Sequence, residues 1–131
     1  MASNSTTTRE QIEGVIRAFE NGDTETAADY WAEDGVFVDP HYPEPEYRGP
    51  AEIREALDWA LEEIVEEPGL SIRSIWEDAA ANTFAVEVDT HHTMKDGTET
   101  DFPQVFIVEL EDGSVVRWQS YLPFPPPGTE T

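Results

Sequence analysis

The second half of the chain alternates apolar and polar residues over four consecutive segments. These are LSIRSIW, TFAVEVDTHHTM, FPQVFIVEL and SVVRWQSYL, and the linkers KDGTET and EDG between the last three carry turn-forming glycines. A period of two is typical of strands that bury one face. The pattern therefore predicts an antiparallel meander. One strand face would carry Phe84, Val86, Val88, Thr90 and His92.

The first half has helical spacing instead. Apolar residues at Ile12, Val15, Ile16 and Phe19 form one stripe, which ends at the turn sequence NGD. Asp23 is a good N-cap for a second short helix. The apolar face of that helix is predicted at Ala27, Tyr30 and Trp31.

A strand and a third helix complete the first half. The β-branched and aromatic segment VFVD, residues 36–39, predicts a short strand with Phe37 and Asp39 on one face. Gly49 and Pro50 then open a helix that should end at Pro68 and Gly69. Its apolar stripe is predicted at Ile53, Leu57, Leu61 and Ile64.

Helices followed by a meander define an α+β domain, in which three N-terminal helices pack on one face of a curved antiparallel sheet. The length suits one domain over residues 1–131, without internal repeats. Residues 1–8 and the proline-rich residues 124–131 are predicted to be flexible tails.

The charge balance excludes several classes of partner. The chain has 29 acidic residues against 7 basic ones, a formal net charge of -22, so it should repel nucleic acid and anionic membranes. The acids are spread along the chain, a pattern that resembles proteins of salt-adapted, haloarchaeal-type organisms. Cysteine is absent, and no apolar run reaches membrane-spanning length or forms a signal peptide. These features predict a cytoplasmic protein.

Three blocks of the sequence resemble a known superfamily. They are GDTETAADYWAEDGVFVDP (22–40), Gly49 before the third helix, and FIVELEDGSVVRWQSY (106–121). Together with the element order they resemble the NTF2-like cone fold, in its SnoaL-like and ketosteroid-isomerase-like branch, over residues 9–122. By this resemblance Asp39 falls on the general base of the steroid isomerases, and the chemistry implied needs no cofactor.

The resemblance also shows a difference from the steroid isomerases. Those enzymes hold the developing enolate with two hydrogen-bond donors. At the corresponding positions this chain has Val15 and Phe106, whose side chains cannot donate. Because the loss of one such donor typically costs about 10²–10³ in turnover, the chain is not expected to be a true steroid isomerase.

Two roles are open to Asp39. It is a candidate general base if the pocket wall desolvates its carboxylate and raises the pKa. The alternative is structural, because an Asp before a Pro commonly caps a turn.

The histidines also have two interpretations. His91 and His92 should leave opposite faces of one strand, so they cannot readily share a metal ion, and no metal site is predicted. His92 points inward, either as a polar group of a pocket or as a strand-end histidine bonded to a loop. His41 either covers the mouth of the cone or is exposed in its proline-rich loop.

The faces expected to line the cone predict a mainly apolar small-molecule pocket with a few polar groups. The alternative is that its aromatic side chains simply fill the core. The predicted binding residues are Trp31, Phe37, Leu57, Leu61, Val88, His92, Gln104, Phe106, Trp118 and Ser120.

Two functions follow from this pocket. The first is a cofactor-free isomerase or cyclase that acts on a small apolar or carbonyl-bearing molecule with Asp39 as base. The second is a binding or dimerisation module without chemistry. In either case we expect a homodimer formed through the outer sheet face, where alternation places Val115, Arg117 and Tyr121.

Overall fold

The computed structural model describes residues 4–124, with side chains described from Thr8 onward. Its helices are α1 (Asn4–Glu20), α2 (Thr24–Ala28) and α3 (Gly49–Trp59), and a π-helical turn (Ala60–Ile64) extends α3. Helix α1 thus begins inside the segment predicted as an N-terminal tail. Of the predicted C-terminal tail only Phe124 belongs to the described residues. Within residues 4–124 no helix is long and apolar enough to cross a membrane.

Between residues 4 and 124, eight strands form two sheets. They are β1 (Trp31–Val38), β2 (Glu46–Arg48), β3 (Val65–Glu67), β4 (Leu70–Asp78), β5 (Thr83–Thr90), β6 (Thr93–Met94), β7 (Phe102–Glu111) and β8 (Ser114–Tyr121). The main sheet has the order β2-β1-β8-β7-β5-β4, and β3 pairs with β6 in a small second sheet.

The α+β class is as predicted, but two details need correction. Strands β1 and β2 lie between α2 and α3, so the helices do not all precede the sheet. The sheet is also mixed, because β1 runs parallel to β8 while the other neighbours are antiparallel. Alternation identifies a strand but does not say which distant strand becomes its neighbour.

Helix α2 is shorter than predicted. The Asp23 side chain caps it as expected by accepting a hydrogen bond from the Thr26 N–H at 3.2 Å. However, the helix ends at Ala28, and Trp31 is the first residue of β1 rather than part of the helical face. The Trp31 indole donates to the Val36 carbonyl across an irregular stretch of that strand. Apolar residues three or four apart fit a helix, but here they span a helix end and a strand start.

The π-helical turn changes which side chains are buried after α3. Ile53 and Leu57 are buried as predicted, but the next buried residue is Ala60. Leu61 is only partly buried and Ile64 is 38% exposed. A π-turn adds one residue to the helical turn and so rotates every later side chain.

A β-bulge near the start of β8 also changes which side chains are buried. The pairing shifts there, so that Glu109 is opposite Arg117 whereas Leu110 is opposite Val115. Val115 is therefore fully buried, although strict alternation had placed it on the outer face. Trp118 and Ser120, beyond the bulge, face inward as predicted.

One buried cluster joins the helices to the concave sheet face. Ile12 and Ile16 of α1, Ile53 of α3 and the β5 residues Val86 and Val88 all belong to it. The predicted alternation of β5 is confirmed, with its even-numbered residues buried from Phe84 to Thr90. The helices thus cover one sheet face and leave the other open.

Candidate functional site

A cavity of about 650 Å³ lies between the helices and the concave face of the sheet. Its wall combines residues of α1, α3, the π-helical turn, the loop after β1, and strands β7 and β8. The lining is mainly apolar, with several aromatic rings. The titratable side chains that line it are Asp39, His41, Tyr42 and His92.

Asp39 is placed on the cavity wall by the end of β1. Pro40 has no N–H to continue the strand, and the chain turns there. The Asp39 N–H donates to the Pro45 carbonyl at 2.9 Å, and its carbonyl accepts from the Tyr42 N–H at 3.1 Å. Its Oδ1 accepts the His41 N–H at 2.9 Å, which closes an Asx turn. The turn-capping role is therefore real, and the carboxyl group also lines the cavity.

Burial dominates the electrostatics of this carboxyl group. Asp39 is 6% exposed, and desolvation raises its pKa above the ordinary 3.8. Hydrogen bonds from the His41 backbone and the Ser120 hydroxyl, together with the nearby His41 ring, oppose that rise. Pairing of β1 with β8 brings Ser120 to Asp39, since Val38 lies opposite Gln119.

The His41 ring lies between Asp39 and the end of the described chain. Its Nδ1 is 3.3 Å from Asp39 Oδ1, and its Nε2 is 3.0 Å from the Phe124 carbonyl oxygen. The Phe124 ring stacks edge-on against the His41 ring, with centroids 5.2 Å apart. His41 therefore covers part of the cavity wall instead of being an exposed loop residue.

Tyr42 adds a phenol to the same wall. Its ring packs against Phe37 at 5.1 Å and Trp59 at 5.3 Å. Burial, with the neighbouring Asp39 charge, raises the pKa of the phenol, so the hydroxyl stays protonated. Tyr42 lines the cavity, so its hydroxyl is a candidate donor to a ligand there.

His92 lies just beyond β5 and is neutral. Its Nδ1 accepts the Gly69 N–H at 3.1 Å, so a neutral ring must carry its proton on Nε2. Burial lowers the pKa of His92 from the ordinary 6.5 to about 4. Both predicted roles are thus combined, since His92 bonds to a loop and also lines the cavity.

Gln104 is a further polar group with a defined orientation. Its side-chain amide donates to the Thr90 hydroxyl at 2.8 Å, and both residues are buried. This bond holds the amide against the sheet while Gln104 lines the cavity.

The structure brings together eight of the ten predicted binding residues on the cavity wall. They are Trp31, Phe37, Leu57, His92, Gln104, Phe106, Trp118 and Ser120. Leu61 and Val88 are not on it, because the π-helical turn rotates Leu61 away and Val88 is fully buried in the core. Val15, which like Phe106 is a position where the resemblance implied a missing donor, also lines the cavity.

Sequence reasoning missed several lining residues. Tyr42, Trp59, Phe102 and Phe124 were not singled out, although all four are aromatic and line the cavity. The cluster of aromatic and proline residues around Asp39 was the available signal. Metal binding has no support in residues 4–124, where no three His, Asp or Glu side chains come together.

The helices and the curved mixed sheet enclose an apolar cavity with the Asp39 carboxyl group on its wall. The sequence profile of the SnoaL-like domain matches residues 12–118. The chain therefore belongs to the SnoaL-like domain family. No curated protein matches the chain.

Solved structures agree on the fold. A proposed polyketide cyclase from Xanthomonas campestris has a TM-score of 0.74 at 18% identity, covering 91% of this chain and 92% of that one. An epoxide hydrolase of M. tuberculosis, similar to the LEH type, has a TM-score of 0.72 at 18% identity, with 89% and 83% covered. A Catenulispora acidiphila protein with a ketosteroid-isomerase-like fold, crystallised with trimethylamine, has a TM-score of 0.76 at 16% identity, with 86% and 84% covered.

Proposed function

We propose that this SnoaL-like protein binds a small, mainly apolar, carbonyl-bearing molecule and moves a proton on it without a cofactor, as an isomerase or cyclase. Asp39 is the general base. The observation that carries this proposal is the position of Asp39, a buried carboxyl group with a raised pKa on the wall of an open, mainly apolar cavity.

The chemistry follows from that environment. The Asp39 carboxylate takes a proton from a carbon next to the ligand carbonyl, and the electron pair of the C–H bond moves to form an enolate. The Asp39 carboxylic acid then returns the proton to another carbon. In a cyclisation, the enolate carbon instead attacks a second carbonyl carbon to close a ring, and the Asp39 carboxylic acid protonates the alkoxide that forms. Desolvation brings the pKa of Asp39 closer to neutrality, which suits a group that must both accept and return a proton.

The enolate oxygen needs hydrogen-bond donors, and Val15 and Phe106 cannot supply them. Two other donors line this cavity, the Tyr42 hydroxyl and the Nε2–H of neutral His92. We propose that one of them takes the ligand oxygen. A neutral imidazole is a suitable donor because its N–H can polarise a carbonyl group and hold the negative charge that develops on the oxygen.

The similar structures support including cyclisation as well as isomerisation in this proposal. The protein from Xanthomonas campestris is a proposed polyketide cyclase, so cyclisation stands beside isomerisation. The fold alone does not choose between them, since chemistry depends on the residues of each site.

The test combines ligand binding with proton exchange. We would screen planar apolar ketones and phenols by NMR, and follow deuterium incorporation next to the carbonyl of each bound ketone. Asp39→Asn should keep binding and lose at least about 10²-fold in exchange rate. Asp34→Asn, at an exposed position of β1, is the matched control and should leave exchange unchanged.

The same experiment separates the two functions. Exchange that is equal in wild type and Asp39→Asn would overturn the role of Asp39. Tight binding of a ketone with no exchange in wild type would instead identify a binding module without chemistry.

A further inference from the structure

Both nitrogens of the His41 imidazole lie close to groups with defined hydrogen-bonding roles. Its Nε2 lies 3.0 Å from the Phe124 carbonyl oxygen. A carbonyl oxygen only accepts hydrogen bonds, so Nε2 carries a proton and donates it. A neutral His41 would then have a bare lone pair on Nδ1.

That Nδ1 faces the Asp39 carboxyl group. It is buried, 3.3 Å from Asp39 Oδ1, and it is the one buried side-chain nitrogen or oxygen without a hydrogen bond among the residues that the structure describes. If His41 were neutral and Asp39 ionised, a lone pair and an anionic oxygen would face each other in an apolar wall. Such an arrangement is unfavourable because neither group has a proton to share.

One additional proton removes this conflict, and the other contacts of Asp39 show where it belongs. The carboxyl group accepts the His41 N–H and the Ser120 hydroxyl. Both are donors, and donors favour the ionised form of a carboxyl group, whereas burial raises its pKa. With the additional proton on His41 Nδ1, the carboxylate keeps both donors, and a hydrogen lies between the two facing atoms.

We propose that His41 is the counter-ion of Asp39: an imidazolium held between the Phe124 carbonyl and the Asp39 carboxylate, which keeps the base ionised inside the apolar cavity. The role of Asp39 as a base rests on the proposed function. The ion pair itself does not, because it is a property of the ligand-free protein. His41 is then a positioning residue that acts through Asp39.

Among the described residues, His41 is the charged neighbour whose field acts on Asp39. In residues 4–124 every Arg or Lys ion pair involves a carboxylate other than Asp39. The neighbouring Tyr42 phenol is neutral, as is His92, the remaining titratable group of the cavity wall. Ser120 contributes a hydroxyl without charge.

NMR of the ligand-free protein tests the pair directly. We expect the imidazole nitrogens of His41 to show protons on both positions at neutral pH. In Asp39→Asn the same ring should lose its Nδ1 proton and become neutral. The Asp39 carboxyl carbon should report an ionised group at neutral pH.

Two variants of His41 separate charge from shape. His41→Gln can still donate to the Phe124 carbonyl but has no group at the Nδ1 position, so the midpoint of Asp39 titration should rise by about one pH unit. His41→Asn can offer an uncharged N–H to Asp39 Oδ1, so its midpoint should rise less. Backbone amide spectra of both variants are the control for folding.

A His41 ring that is neutral at neutral pH in the wild type would overturn the proposal, as would an unchanged Asp39 midpoint in His41→Gln. The proposed catalytic function fails by a different result, the absence of ligand proton exchange. The two failures are therefore distinguishable, because the NMR titration needs no ligand.

Discussion

Asp39 caps a turn, which was one of the two predicted roles, and its carboxyl group also lines the cavity, as the proposed role of a base requires. Its Oδ1 closes the turn at Pro40, and its carboxyl group lines the cavity beside His41 and Ser120. The turn explains why the side chain is held so firmly at the wall. A capping residue is fixed by its own backbone, which is useful for a group that must meet a ligand in one geometry.

Neutralising Asp39 should stabilise the protein at neutral pH. Because the folded-state pKa of Asp39 is raised, the folded chain binds more protons than the unfolded chain, and this group's contribution to stability decreases as pH rises through the raised pKa. Asn keeps the acceptor for the His41 N–H. Asp39→Asn should therefore raise the melting temperature at neutral pH by a few degrees, and the gain should disappear at acidic pH below the ordinary 3.8. Thermal unfolding across pH measures it, and an equal gain at all pH values would contradict it.

His92 should make the opposite contribution. Its pKa falls from 6.5 to about 4 on folding, so the stability due to neutral His92 is present above pH 6.5 and is lost as pH falls towards 4. The loss is at most about 3 kcal/mol, and partial exposure of the ring reduces it. His92→Gln should flatten the dependence of unfolding free energy on pH within this window. Denaturant titrations of both proteins at several pH values measure the difference, and parallel curves would exclude the role.

At the level of elements, two local irregularities decide which side chains face inward. The π-helical turn removes Leu61 from the cavity wall, and the β8 bulge turns Val115 inward. Each adds one residue to a regular repeat. Hydrophobic patterns predict the helix or strand around such an irregularity. They do not predict the irregularity itself, because every residue there is also compatible with a regular helix or strand.

Gly49 controls the start of α3. Its φ is +84°, and a Cβ there would lie 2.9 Å from the Glu33 carbonyl oxygen. Gly49→Ala should therefore cost about 2–3 kcal/mol, from left-handed strain of about 1–2 kcal/mol and from the close contact. Gly97→Ala is the matched control, because its φ is +88° but nothing lies within 4 Å. Gly97→Ala should therefore lose only the unfolding free energy that is due to left-handed strain. Equal losses in urea unfolding would show that the contact with Glu33 has no effect.

At the level of the whole molecule, charge is the dominant feature. A net charge of -22 on 131 residues produces strong self-repulsion, which salt screens over a Debye length that shortens to about 3 Å at 1 M. We predict that the melting temperature rises steeply with KCl up to molar concentration. A melting temperature that does not change with KCl concentration would contradict the proposed salt adaptation. Sucrose at matched water activity controls for general solute effects.

The outer face of the sheet remains the proposed dimer surface. Trp76, Ala85, Ile107 and Gln119 lie in one row across four strands, and Trp76 and Tyr121 are 65% and 51% exposed. Arg117 is still on this face, whereas Val115 is not. An apolar row on an uncovered sheet face is typical of an interaction surface. Val115 no longer belongs to that surface because it is buried.

We expect light scattering to show a homodimer in the wild type. Trp76→Glu combined with Tyr121→Glu should give a monomer, since each dimer would bury four additional negative charges. Thr26→Glu, at an exposed position on α2, adds negative charge away from this face and should leave the dimer intact. A monomeric wild type would refute the dimer surface.

The sequence alone determined the α+β class, most strands, the cap at Asp23, the start of α3 and eight of the ten predicted cavity residues, because these depend on local periodicity and on the chemistry of single residues. Only the tertiary structure decided that β1 lies parallel to β8, which places Ser120 beside Asp39, and that the end of the described chain brings the Phe124 carbonyl to His41. These contacts join residues far apart in the chain. Their geometry depends on strand order and on packing around the cavity, which no local pattern records.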